Sequence, residues 1–424
     1  MRIKLAYGKT GLEIDVPDSG VDVIQPRFVA GIEDERLALQ NSLRHPFGSP
    51  PLRDLVTPSD TVAIIFSDRT RPMPSDRVLP VILSEIEAVP RENITLINAV
   101  GTHRENTREE LISMVGKALV DEYRIVQHRP RDRSSLLRLG TSSFGNEVWV
   151  NRNFMEAKVK ILTGFIEPHF FAGFSGGPKS VLLGVGGFDS ILRNHSAQMI
   201  ENSNATWGIT DENPIHQEMS EIAELVGPNF IVNVTLNRNR QITGIFSGHW
   251  REAHRRGCEF AGKTAMQPVD QLYDLVVTTN SGFPLDMNLY QAVKGMSAAA
   301  RIVKPGGCII AAAECSDGIP EHGHFRELLR RGNSPQEWLE AIFSAKEIIP
   351  DQWQVQILAR ILQHAQVHLF STLPAEEVRR AGLRVCENIS LSVQQMWNKV
   401  TLDPTDFRMA VLPEGPQTVP YLAS

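Results

Sequence analysis

A lysine in a glycine-rich run is the first residue of this chain whose setting points to chemistry. The segment GFIEPHFFAGFSGGPKSVLLGVGG (164–187) follows an apolar, β-branched stretch and contains Lys179 as its one lysine. Backbone N–H groups presented by glycines at the end of a strand can cradle a phosphate. That reading makes Ser175, Gly176 and Gly177 ligand-binding positions. The piece GFSGGPKS (173–180) is one change from a nucleoside-triphosphate loop, but Pro178 replaces the last glycine and has no N–H to donate. Such a loop also begins directly at the strand end, whereas EPHFFA intervenes here. A glycine-rich turn carrying a solvated lysine is the plain structural reading of the same residues.

The chain has 12 histidines, and three of them stand out by position. His103 (VGTHREN) and His169 (EPHFF) sit in loops expected at strand ends; His195 (RNHS) falls in an expected helix beyond Lys179. Three convergent histidines would supply a metal ligand and an acid/base pair. A structural zinc triad is the rival, but the spacing is too open to support it. His45, His128, His216, His249, His254, His322, His324, His364 and His368 read as ordinary core or surface residues. The SDRTRP segment puts Asp68, Arg69, Thr70 and Arg71 immediately after the buried run TVAIIFS. Arginines placed there suit a bidentate grip on carboxylate or phosphate. In FPLDMNLYQAVKGM (283–296), Tyr290, Gln291 and Lys294 are three and four residues apart and share a helix face. A solvated helix edge explains that pattern equally well.

These residues need a scaffold, and the apolar pattern supplies one. TVAIIFS (61–67), NITLINAVGTH (93–103), VKILTGFI (159–166) and FIVNVTLN (230–237) read as strands separated by amphipathic helices. Thr107 is an expected helix cap, with Glu109 and Glu110 in the first turn. The fold class is α/β: two α/β domains with mostly parallel sheets, ligands binding beyond the carboxyl ends of the strands. A second block holds the strand-like runs DLVVTTNSGFP (274–284), CIIAAAE (308–314) and VHLFST (367–372). RIVKPGG (301–307) has the punctuation of a helix end turning into a strand. The expected division is 1–265 and 266–399, the 400–424 tail returning to the first domain with MAVLP as its strand.

Composition narrows the function classes. Hydrophobic residues make up 42% and charged residues 22%, and the net charge is -6. Mild acidity argues against non-specific nucleic-acid binding, which needs a basic surface. Four cysteines (Cys258, Cys308, Cys315, Cys386) without a CxxC pair point to reduced thiols in a cytoplasmic protein. The start, MRIKLAYGKTGLEIDVP, reads as a strand and hairpin and not as a signal peptide, and no apolar stretch reaches the roughly 18 residues of a membrane span.

Taken in order, SDRTRP, GTHR, EPHFFAGFSGGPKS, NHS and PLDMNLYQAVKG resemble the nickel-pincer-nucleotide-dependent lactate racemase family of 2-hydroxyacid racemases and epimerases. The resemblance runs from the first strand to the DQW segment at 351–353. It implies a pyridinium mononucleotide with a thioamide and a thiocarboxylate, attached covalently through Lys179 and holding nickel. His195 would complete the metal's coordination, and His103 and His169 would be the acid/base pair. Asp68 and Arg71 match family positions, Gln291 and Lys294 match substrate or cofactor contacts, and Trp353 matches an active-site tryptophan. The implied active site lies in the cleft between the domains, and a small 2-hydroxy acid would invert through its 2-keto acid by hydride transfer. The implied partners are that acid and the enzymes that mature the cofactor; the oligomeric state stays open. Leu183, Pro178 and Arg69 depart from the commoner family pattern. Arg69 is a second cation where lactate needs one, which raises malate as a substrate. A nucleotide-binding sensor using the glycine-rich loop without catalysis, and a metal hydrolase using the histidines, are the other readings of these residues.

Overall fold

The computed structural model describes residues 1–321, 323–400 and 407–423, with side chains to 398 in the second stretch; His322 and 401–406 of the tail lie outside the described residues. The chain divides into two compact units. Phe28–Gly262 forms one; Met1–Arg27 and Lys263–Ser424 together form the other.

In the first unit the strand Val62–Ser67 is apolar on both faces because helices cover both sides of its sheet. Six strands lie in the order Ile242–Gly248, Phe230–Leu236, Val159–Phe165, Val62–Ser67, Ile94–Ala99 and Arg124–Gln127. All neighbours are parallel except the hairpin of the first two. The order reflects how the chain travels. It starts at Val62–Ser67, steps outward through Ile94–Ala99 to Arg124–Gln127, then returns to the opposite side of Val62–Ser67 with Val159–Phe165. The sheet therefore reverses direction between Val62–Ser67 and Val159–Phe165, and a crevice opens beyond the strand ends at such a point. The helix Arg108–Val115 begins at the expected cap: Thr107 accepts from the Glu110 N–H and Glu110 reaches back, a capping box.

The second unit holds a six-stranded, all-parallel sheet: Arg384–Val385, Gln366–Phe370, Val303–Ala312, Tyr273–Thr279, Met409–Leu412 and Val21–Val23. Two segments differ from the sequence-based division. Met1–Arg27 belongs to this unit, because Val21–Val23 hydrogen-bonds to Met409–Val411. The tail likewise stays here; Met409–Leu412 is an internal strand of this sheet and does not return to the other unit. The Pro-Gly-Gly of RIVKPGG also differs from its expected turn. It lies inside Val303–Ala312, where Tyr273 pairs with Val303 but Leu275 with Cys308, so the extra residues form a bulge. Among the described residues no helix is long and apolar enough to cross a membrane.

Candidate active site

Asp68 is the first residue beyond Val62–Ser67, and it is 4% exposed. Its carboxylate accepts from the Thr70 hydroxyl at 2.8 Å and meets His103 Nδ1 at 2.8 Å. Burial raises the Asp68 pKa, but the hydrogen bond and charge of His103 and the nearby Arg71 outweigh it and leave it lowered. An ionised carboxylate only accepts, so His103 Nδ1 carries a proton, and whenever the ring is neutral its lone pair is on Nε2. That is the orientation of a general base. His103 itself sits after Ile94–Ala99, and the Gly101 N–H of its loop donates to Gly184 O at 3.1 Å, tying it to the helix Lys179–Val185. Gly101 has φ +57°, and a Cβ there would stand 2.4 Å from Leu183 O. Only glycine fits.

Across the reversal point, Val159–Phe165 leads into a short hairpin, Pro168–His169 paired with Gly173–Phe174. His169 Nδ1 accepts from the Ala172 N–H at 3.2 Å, so its neutral ring holds the proton on Nε2. The two candidate bases thus rest in opposite tautomers. The Phe171 ring meets His169 edge-on at 4.6 Å and His195 edge-on at 4.8 Å, which places both imidazoles against one phenyl ring. His195 follows the helix Phe188–Asn194 as its C-cap and is 7% exposed. Burial and the Lys179 charge push its pKa down to about 3, so the ring is neutral. Its Nδ1 lies 3.0 Å from Asn194 Oδ1. Lys179 opens its helix and is half-buried.

Two of the polar groups in the glycine-rich run have partners within the unit. The Ser175 hydroxyl donates to Phe165 O at 3.0 Å and accepts from the Glu167 N–H at 2.9 Å, and the Gly177 N–H donates to Asn233 Oδ1 at 2.9 Å. These groups are committed within the unit. Gly176 and Gly177 have φ +74° and +54°, and a Cβ on Gly177 would stand 2.4 Å from the His254 ring. The glycines bring the backbone down onto His254, which stacks on His216 at 5.6 Å. Arg69 faces outward. Its guanidinium pairs with Glu110 on the surface, because adjacent residues of the loop point apart and Asp68 faces inward. The Thr70 hydroxyl is spent on Asp68, and Arg71 stays exposed.

In the other unit, the helix Leu289–Ala300 carries Tyr290, Gln291 and Lys294. Lys294 Nζ donates to Gln291 Oε1 at 2.7 Å, and Trp353 Nε1 donates to the Tyr290 hydroxyl at 2.9 Å. These residues do gather. Sequence reasoning missed Phe171, Asn194 and Glu218. Glu218 had a signal: it interrupts the apolar stripe Ile215, Met219, Ile222 and Val226, and it is fully buried.

A doubly wound sheet here brings an Asp–His pair, a half-buried lysine and a buried imidazole to one end of its strands, the kind of arrangement found in enzymes. Residues 7–208 match the lactate racemase N-terminal domain family, and 269–419 the lactate racemase C-terminal domain family. The chain is 35% identical over 421 residues to the lactate racemase of Thermoanaerobacterium thermosaccharolyticum, covering 97% of each. It is 38% identical over 377 residues to that of Lactiplantibacillus plantarum, covering 88% of each. The structure of the Thermoanaerobacterium thermosaccharolyticum lactate racemase apoprotein superposes with a TM-score of 0.92 at 34% identity, over 99% of this chain and 100% of that one. A Thermotoga maritima protein shares the fold at a TM-score of 0.68 and 17% identity, over 93% of this chain and 100% of that one. The chain belongs to the lactate racemase family and is an isomerase.

Proposed function

We propose that the chain racemises a small 2-hydroxy acid of the lactate type, using a nickel-pincer nucleotide tethered to Lys179 and ligated by His195. The observation that carries the reading is a buried imidazole, His195, whose Nδ1 donates to Asn194 Oδ1 and whose lone pair is then on Nε2, the atom that would ligate a metal. Among the described residues no three His, Cys, Asp or Glu side chains gather into a metal cage. A metal at His195 would therefore take its other donors from a non-protein group, as a pincer ligand provides. His216 Nδ1, buried without a hydrogen-bond partner and electrostatically coupled to Lys179, adds an unsatisfied polar atom to the same neighbourhood. The residues present fit the group.

When bound, the cofactor supplies a reversible hydride acceptor, which makes the planar 2-keto acid accessible. The chain's part is proton and charge management. His103 Nε2 takes the hydroxyl proton while Asp68 steadies the imidazolium that forms. His169 returns a proton when the alcohol re-forms on the other face; for that it must enter the step as the imidazolium, with Nδ1 released from the Ala172 N–H. Phe170 and Phe171 keep that ring in an apolar wall. Arg71 is a cation suited to the substrate carboxylate; Lys294, bonded to Gln291, and the Trp353–Tyr290 pair are further candidate contacts for the substrate. A cytoplasmic location and cofactor-maturation enzymes as partners belong to the same proposal. The test is mass spectrometry and metal analysis of protein made alongside the maturation enzymes. An adduct on Lys179 with nickel supports the reading; an unmodified lysine in racemising enzyme overturns it.

A further inference from the structure

We propose that Glu218, acting through Asn194, is a positioning residue that sets the tautomer of His195 and so presents Nε2 as a metal donor. This rests on His195 being the metal ligand. Three buried links form the relay. His195 Nδ1 meets Asn194 Oδ1 at 3.0 Å, Asn194 Nδ2 donates to Glu218 Oε2 at 2.8 Å, and Ser142 Oγ donates to Glu218 Oε1 at 2.7 Å. Asn194 and Glu218 are both fully buried, and Ser142 is 5% exposed.

An asparagine amide can face either way, and its neighbours decide which. Asn194 Nδ2 is bracketed by two acceptors, Glu218 Oε2 and, at 3.2 Å, Ile215 O. Its Oδ1 must then point to His195, and the ring nitrogen facing an acceptor must bear hydrogen. The proton goes to Nδ1 and the lone pair to Nε2. The relay also explains an otherwise costly feature. Among the described residues the Glu218 carboxylate has no cationic partner, only these two neutral donors. Burying a carboxyl group there opposes folding, and what it secures is the orientation of Asn194 and, through it, of the imidazole.

The first measurement is ¹⁵N NMR of the histidine rings in the full-length chain expressed without the maturation enzymes, with His195→Ala identifying the signals. His195 should carry its proton on Nδ1; a proton on Nε2 in the wild type overturns the proposal. Glu218→Leu should redistribute the proton between the two nitrogens, and Glu218→Gln, which keeps an acceptor for Asn194, should hold it. Asn194→Ala should act like Glu218→Leu and serves if the leucine variant does not fold. Ser142→Ala leaves the Asn194 link and should leave the tautomer; a shift as large as that of Glu218→Leu would reveal general loosening and overturn the relay. The second measurement is nickel retained by cofactor-loaded protein after dialysis against a chelator. Glu218→Leu should weaken nickel binding about 10–100-fold, the usual effect of losing a partner that orients a ligand. Wild-type retention in Glu218→Leu, with nickel lost from His195→Ala, would remove the relay and keep the ligand assignment. Full nickel in His195→Ala would remove the ligand assignment itself.

Discussion

Replacing Asp68 by asparagine keeps its shape and removes its charge, and the surrounding hydrogen bonds determine how much activity is lost. Oδ2 faces His103 Nδ1 and Oδ1 accepts from Thr70. An asparagine can keep its oxygen on His103 and turn its amide to Thr70, whose hydroxyl can rotate to accept. The His103 tautomer then survives, and the loss is that of a charge-assisted bond to the imidazolium. Such bonds contribute about 1.5–3 kcal/mol against about 0.5–1.5 kcal/mol for a neutral one. The difference of about 1–2 kcal/mol corresponds to a loss of about 5–30-fold in rate. Asp68→Ala also frees the ring and should approach the full value of a positioned base, about 10²–10⁴-fold. The assay is kcat/KM with each enantiomer of lactate. Mirror-image substrates have equal free energies, so the two values must fall together in any variant. Unchanged kcat/KM in Asp68→Asn would refute the Asp68–His103 pair as machinery. Stability provides a second readout. The folded pKa of Asp68 is lowered, so its stabilisation is present above the ordinary carboxylate pKa near ~4 and is lost as pH falls through the lower folded value. Asp68→Asn should lower the melting temperature at neutral pH, and the gap should close in strong acid.

Three further variants probe other parts of the site. Lys179→Ala should fold normally, carry no covalent adduct by intact-mass spectrometry and show no racemisation; near wild-type turnover would move the tether elsewhere. His169→Ala should lose about 10²–10⁴-fold in kcat/KM, and undiminished activity would leave His103 as the one base. Arg69→Ala should preserve the ratio of lactate to malate turnover, since its guanidinium is paired with Glu110; a marked change in that ratio would return Arg69 to the substrate.

What the sequence made legible depended on whether the deciding contact was local. The strand at Val62–Ser67 was readable because burial on both faces leaves an unbroken apolar run, and the Thr107 cap because its partner Glu110 is three residues away. The placement of His103 and His169 beyond strand ends came from the same periodicity. The pairing of Arg69 with Glu110 was not legible because spacing does not tell which way adjacent loop residues face. The partners of Ser175 and Gly177, Phe165 and Asn233, were out of reach because they emerge only when strands are laid side by side. The membership of Met1–Arg27 was out of reach for a related reason: Val21–Val23 meets a strand at Met409–Leu412, and no pattern within either segment names the other.

That last pairing has a consequence for how the protein is made. The Phe28–Gly262 unit is continuous and leaves the ribosome whole, free to fold while synthesis proceeds. The other sheet has Met409–Leu412 as the bridge between Tyr273–Thr279 and Val21–Val23. Until that bridge is synthesised, the first strand has no neighbour and Tyr273–Thr279 keeps one edge bare. At ribosomal speeds of about 5–20 residues per second, the wait is about 20–80 s. Throughout it, an unpaired parallel edge is open to other nascent chains. Val21–Val23, made well before its partner, is among the last pieces to find its place, and a chain released before Met409–Leu412 is made would leave the ribosome with one unit formed and the other sheet unbridged.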